Sequence, residues 1–405
     1  MNASHEAALV AAAAVVVAGC AERPGAPPEL GAAVVVAEAG ASNPTLAADP
    51  STGVAYVAWV GTRNGSSDVL LSTLEPGAAP AEPLRVNDIP GDAAPHLQAP
   101  AAVAVGPEGN VYVAWTNSTE VEGRRFPSSN LRFARSTDGG LTFAPALTVN
   151  DDADGPPASH TFHDVAVASD GTVVVSWLDS RLGDDAPGPD VRIATSTDGG
   201  ASFSPSRVVD RHTCPCCRTA MALAPDGSLY LAWRELFPGD VRDIVIARSS
   251  DLGETWAPPV RVAADDWVFP GCPHAGPSLV VDAGGTLHVA WYTGRPEAPG
   301  LYYTTSSDGA SSFASARPLL TDEWVPPSQV TLAAAPDGQL WAAWEDRRSA
   351  DAAFRYLARG PGETLDPSSA LPQSGTSPVL AMAGSRTMMA WLDGSRILLR
   401  RSPPG

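Results

Sequence analysis

Residues 221–233 read Met221-Ala222-Leu223-Ala224-Pro225-Asp226-Gly227-Ser228-Leu229-Tyr230-Leu231-Ala232-Trp233, and how often this passage returns decides the fold. A short apolar segment, a Pro-Asp-Gly turn and a second apolar segment closed by Trp make a hairpin, Gly supplying the positive φ the turn needs. Segments ending in Trp recur at 54–59, 111–115, 173–177, 229–233, 287–291, 340–344 and 387–391. Their tryptophans stand 56, 62, 56, 58, 53 and 47 residues apart, a period that belongs to a repeat architecture.

The rest of each period reads the same way. A variable loop follows the Trp and leads to a third apolar segment, as at 131–135, 191–195 and 244–248. Next comes Ser136-Thr137-Asp138-Gly139-Gly140-Leu141-Thr142-Phe143, echoed from Ser196, from Ser249 and, more loosely, from Ser306. A fourth segment closes the unit, as at 147–150 and 260–263. Four antiparallel strands per repeat of about 50 residues describe a propeller blade. The seventh copy stops one strand short, while residues 32–37 form a strand-like segment with no hairpin of its own. Pairing the two closes the ring and removes an exposed edge. The chain is therefore expected to be all-β, with seven four-stranded blades over 32–405 closed by the N-terminal strand. Six blades with an appended C-terminal hairpin is the alternative.

Charge and termini bound the function. With 26 basic and 45 acidic residues the net charge is −19, and every basic residue is Arg. Nucleic acid and anionic membrane surfaces are poor partners for such a chain. Residues 7–18 are small and apolar, too few to span a bilayer but suited to a signal peptide over 1–19. Val17-Ala18-Gly19-Cys20 resembles a bacterial lipobox with Cys20 as the lipidated residue, and 20–31 then form a Pro-rich tether, although Met1 to Glu6 lack the usual cation. A monomeric lipoprotein in an oxidising part of the cell envelope is the expectation.

The Ser-x-Asp-x-Gly-x-Thr/Ser-Phe/Trp element resembles the Asp box, or BNR repeat, of the sialidase superfamily. Copies at Ser136 and Ser249 match in full, the copy at Ser196 has Ser202 for Thr, and the copy at Ser306 has Ala310 for the second Gly. The resemblance implies a sialidase-like propeller whose Asp-box turns lie opposite the binding face. Asp138 is expected to bind backbone within its own turn and Phe143 to pack on the blade. A sialidase would further require three Arg on the ligand carboxylate, a Tyr–Glu nucleophile pair and an Asp acid. Asn43-Pro44-Thr45 stands where the first blade should carry an Arg-Ile-Pro-like segment, and Tyr292, Tyr302 and Tyr303 are poorly placed as nucleophiles. The chain is therefore not expected to be a true sialidase.

Function is expected on the face bearing the loops after each Trp and the connections between blades. The candidates there are Asp179, Arg181, Arg218, Glu235, Arg295 and Arg347. The recurring Trp-x-Asp-x-Arg pattern admits two readings: an Asp–Arg brace between blades, favoured for Arg181 and Arg347, or arginines converging on an anionic ligand. Five histidines, His96, His160, His163, His212 and His274, fall near the starts of innermost strands. Four cysteines open the fourth and fifth blades, in His212-Thr213-Cys214-Pro215-Cys216-Cys217 and Gly271-Cys272-Pro273-His274. Disulfides are slightly favoured over a copper or zinc site using these thiols with His212 or His274, and one bridge plus a reactive pair is a third possibility. The functional expectation is a propeller that binds a glycan or an envelope protein through this face. A sialidase-type glycoside hydrolase and a copper- or zinc-binding lipoprotein are the alternatives.

Overall fold

The structure is a computed structural model that describes residues 29–403 except 123, 125, 126 and 184. Seven four-stranded antiparallel sheets form a ring. The fourth blade shows the plan: strands Ala220–Leu223, Leu229–Arg234, Ile244–Ser249 and Val260–Arg261 run from the axis outwards. Closure occurs as the sequence suggests. Strand Val34–Ala37 pairs antiparallel with Arg396–Arg401 of the last blade, Val34 opposite Leu399 and Val35 opposite Leu398. Among the described residues the only helices are the 3₁₀ turns Pro107–Gly109 and Pro367–Ser369, and no helix is long and apolar enough to cross a membrane.

The second strand of each blade explains why so apolar a run is still a strand. In Ala55–Arg63, Ala55, Val57 and Trp59 pack on the last blade, while Tyr56, Ala58 and Val60 pack on the second. A two-residue period sends alternate side chains to opposite faces, and here both faces are buried. Each repeat Trp wedges against the blade before it: Trp115 against the first, Trp177 the second, Trp233 the third, Trp291 the fourth and Trp344 the fifth. All seven are at most 1% exposed.

The Asp boxes close the third hairpin of their blades. Asp138 Oδ1 accepts from the backbone N–H of Thr142 at 2.9 Å and Oδ2 from its hydroxyl, while Ser136 Oγ accepts from Gly140 N–H at 2.9 Å. Hydrogen bonds from Thr142 and Ser136 hold the Asp138 carboxyl down at about 2. The second Gly of the box is needed twice over. Gly253 has φ +96°, and a Cβ there would lie 2.3 Å from Ile193 Cδ1 of the preceding blade. Ala310, its counterpart in the fourth box, holds φ +65° without that freedom.

Chain direction then separates two faces. The Asp boxes share one with the Pro-Asp-Gly turns, because both follow strands running the same way. The blade connections and the loops after Trp occupy the other.

Candidate functional site

Side chains from the blade connections meet at the axis of that second face. His96, from the connection into the second blade, lies edge-on to Phe162 of the third at 5.2 Å between ring centroids and 6.4 Å from the His274 ring at the start of the fifth. Phe162 and His274 hold φ of +58° and +52°, left-handed conformations that cost a residue with a Cβ about 1 kcal/mol or more. Such strain concentrates where a fold positions functional groups. Burial, and then the neighbouring His274, depress the pKa of His96. His163 is wholly enclosed, its Nε2 3.1 Å from Ala114 O, and burial brings its pKa down to about 4.

Arg218 sits deeper in this group. Burial lowers its pKa, opposed by the charges of Asp164 and Glu345. It makes no hydrogen bond or ion pair among the described residues, although both carboxylates act on it through space. Asp164 Oδ2 accepts from Met221 N–H at 2.7 Å, and burial pushes its pKa up to about 6. Glu345 accepts from the Ser377 N–H at 3.0 Å and the Gln329 N–H at 3.3 Å. Gln329 in turn donates to His274 O at 2.9 Å. Gly276 lets the fifth-blade connection lie on Arg218: a Cβ there would sit 2.7 Å from Arg218 Cγ.

The cysteines stand beside this group. Cys214 Sγ is 3.9 Å from Cys216 Sγ and 4.0 Å from Cys217 Sγ. All three are buried with free thiols. Cys216 Sγ also lies within 4.8 Å of Cys272 Sγ and a His274 ring nitrogen, so two three-ligand groups share Cys216. Arg242 Nη1 points at Cys214 Sγ at 3.0 Å. Arg234 is 1% exposed and bonds the carbonyls of Arg242, Ala275 and Tyr292. Hydrogen bonds from the Cys216 and Cys217 thiols, outweighing burial and aided by Arg234 and Arg242, hold Cys214 far below an ordinary thiol. Burial, then the Cys214 neighbour, pushes Cys217 up to about 12. Cys214 N–H donates to Arg234 O, and Thr219 N–H to Phe162 O, at 3.0 Å each, so two blades anchor the loop.

The other candidates lie apart from the axis. Asp179 is fully buried and takes Trp177 Nε1 and both arms of an Arg181 fork at 2.8 Å, while Arg181 reaches Asp151 at 2.8 Å. His160 joins through Asp152 at 3.0 Å; burial opposes its charge, but Asp152 and Asp179 outweigh that and raise its pKa. Trp233 Nε1 donates to Glu235 at 2.7 Å, and burial pushes Glu235 up to about 7 beside Asp210. Arg295 pairs with Asp265 at 3.2 Å over the Tyr302 ring, and Arg347 donates to Pro327 O at 2.8 Å. His212 is exposed and belongs to neither thiol group. The hydroxyls of Tyr292, Tyr302 and Tyr303 are engaged by Val325 O, Ala298 O and His288. Cys20 lies outside the described residues. Sequence reasoning missed Phe162, Asp164 and Arg242, which sit in strand or loop positions carrying no motif of their own.

Known structures share this architecture. An ulvan lyase of polysaccharide lyase family PL25 superposes with a TM-score of 0.59 at 11% identity, covering 90% of this chain and 94% of that one. A protein of unknown function from Dyadobacter fermentans DSM 18053 gives 0.52 at 14% identity over 94% and 99%. The Hadza microbial sialidase Hz136 gives 0.51 at 17% identity over 86% and 76%. No family model and no curated protein matches the chain. The fold is that of a sialidase-like β-propeller with seven blades.

Proposed function

We propose that this chain is a non-hydrolytic propeller of the cell envelope, anchored through Cys20, that binds a glycan at the axial mouth of the connection face. One observation carries the reading: Arg218 is half-buried at the axis with its donors unspent among the described residues, near two carboxylates that do not ion-pair with it. A guanidinium beside carboxylates supplies the donors and acceptors that sugar hydroxyls require, and His96 and Phe162 offer rings to a sugar's C–H face. One cation between two acidic groups favours hydroxyls over an anionic ligand. A sialidase and a polysaccharide lyase among the similar structures fit a glycan ligand. The engaged tyrosines and the peripheral Glu235 favour binding over hydrolysis.

The test is a panel of neutral and acidic oligosaccharides, read by calorimetry, with fluorogenic glycosides alongside. A neutral glycan should bind the wild type, weaken at least tenfold with Arg218→Met, and show no turnover. Binding of nothing in the panel overturns the glycan reading, and turnover abolished by Glu235→Gln replaces it with a hydrolase. Cys20→Ala should move the chain from the membrane to the soluble fraction; an unchanged membrane fraction refutes the anchor.

A further inference from the structure

The cysteine group has a geometry of its own. A disulfide needs sulfur atoms about 2.05 Å apart, whereas Cys214 stands 3.9 and 4.0 Å from its neighbours. Metal–sulfur bonds of about 2.3 Å put sulfurs about 3.8 Å apart around a tetrahedral ion and about 4.0 Å apart in a trigonal plane. The observed separations are therefore those of thiolates arranged around a common centre.

Coordination number and charge narrow the ion. Each group offers three ligand atoms, Cys214, Cys216 and Cys217 in one and Cys216, Cys272 and His274 in the other. A structural zinc takes four protein ligands, and neither group supplies them. Soft thiolates with one imidazole at low coordination number suit copper(I). Four thiolates holding two monovalent ions retain two negative charges. Two guanidinium groups act on this cluster, Arg242 by direct contact with Cys214 Sγ and Arg234 through its field on Cys214 and Cys217. Two divalent ions would leave those arginines uncompensated in a buried site, which is costly.

We infer that the connection between the third and fourth blades, with Cys272 and His274 of the next connection, forms a two-ion copper(I) site bridged by the Cys216 thiolate. One ion is enclosed by Cys214, Cys216 and Cys217. The other is held by Cys216, Cys272 and His274 at the mouth, where Cys272 and His274 are exposed. Ions therefore enter at the outer position, and exchange with a soluble donor or acceptor takes place there. No electron transfer is involved: each cysteine binds as its thiolate, and each one still protonated releases its proton. The site is independent of the glycan reading, since Arg218 contributes no ligand.

The experiment is an anaerobic titration of the reduced full chain with copper(I), in competition with a chromogenic copper(I) chelator and with metal counted by mass spectrometry. The wild type should take up about two ions per chain and show the ultraviolet-excited emission of a copper(I)–thiolate cluster. Cys272→Ser and His274→Ala, both at exposed positions, should each leave about one tightly held ion and abolish the emission. Cys216→Ser, which removes the shared ligand, should abolish the emission and leave at most one ion, held by Cys214 and Cys217. Arg218→Met should leave the stoichiometry at two, which separates this site from the glycan site. A stoichiometry of one that Cys272→Ser does not change overturns the two-ion site, as does zinc outcompeting copper(I). Two disulfides and no thiols in protein taken unreduced from the cell envelope would also overturn it.

Discussion

Two clusters on the connection face use similar residues to opposite ends. Around Asp179, a histidine, three aspartates and Arg181 satisfy one another: Asp179 takes the Trp177 indole and the Arg181 fork, and His160 takes Asp152. At the axis, Arg218 stands near two carboxylates without bonding either, close to His96 and His274, and the thiols gather at metal-ligand spacing. A buried charge closed on its own neighbours braces two blades; one left open keeps the bonding capacity that the proposed ligand requires.

That contrast can be broken by substitution. Asp179→Ala strips the Trp177 indole and Arg181 of a fully buried partner and should cost about 3–5 kcal/mol in urea unfolding, with glycan and copper binding retained once folded. At the axis the sign reverses. The folded pKa of Asp164 is raised to about 6 from 3.8, so its favourable contribution is complete below pH 3.8 and is lost as pH rises through 6. Asp164→Asn should therefore stabilise the protein by about 3 kcal/mol at pH 8 and by almost nothing at pH 3.5, measured as unfolding free energy against pH. A destabilised Asp164→Asn at pH 8 would mean that the axial group is a brace like the other.

The opposite face sharpens the comparison with smaller effects. Asp138→Ala removes the acceptor of the Thr142 backbone and hydroxyl bonds and should cost about 1 kcal/mol, leaving both ligands bound as before. Ala310→Gly relieves a left-handed residue in the one box that lacks its Gly and should gain at most about 1 kcal/mol, seen as a small rise in melting temperature.

Much of the architecture was legible because it rests on local chemistry repeated. A Trp at the end of each second strand, a Gly in each turn and an Asp box after the third strand each act within a few residues of themselves. Seven copies and an orphan N-terminal strand then leave one economical ring. The site was legible only in part. His212 and His274 precede similar inner strands, yet only His274 meets the thiols. Arg242 lies 28 residues from Cys214 with no motif to connect them.

The sequence alone thus determined the blade number, the closing strand, the face that carries the blade connections and the company of Cys214 with Cys216 and Cys217, all consequences of period and proximity along the chain. Tertiary structure alone decided which cations lie against which sulfurs, that Cys216 is shared with Cys272 and His274, and that Arg218 keeps its donors while Arg181 spends them. Those outcomes depend on how connections from separate blades converge at one axis, and separation along the chain carries no information about that distance.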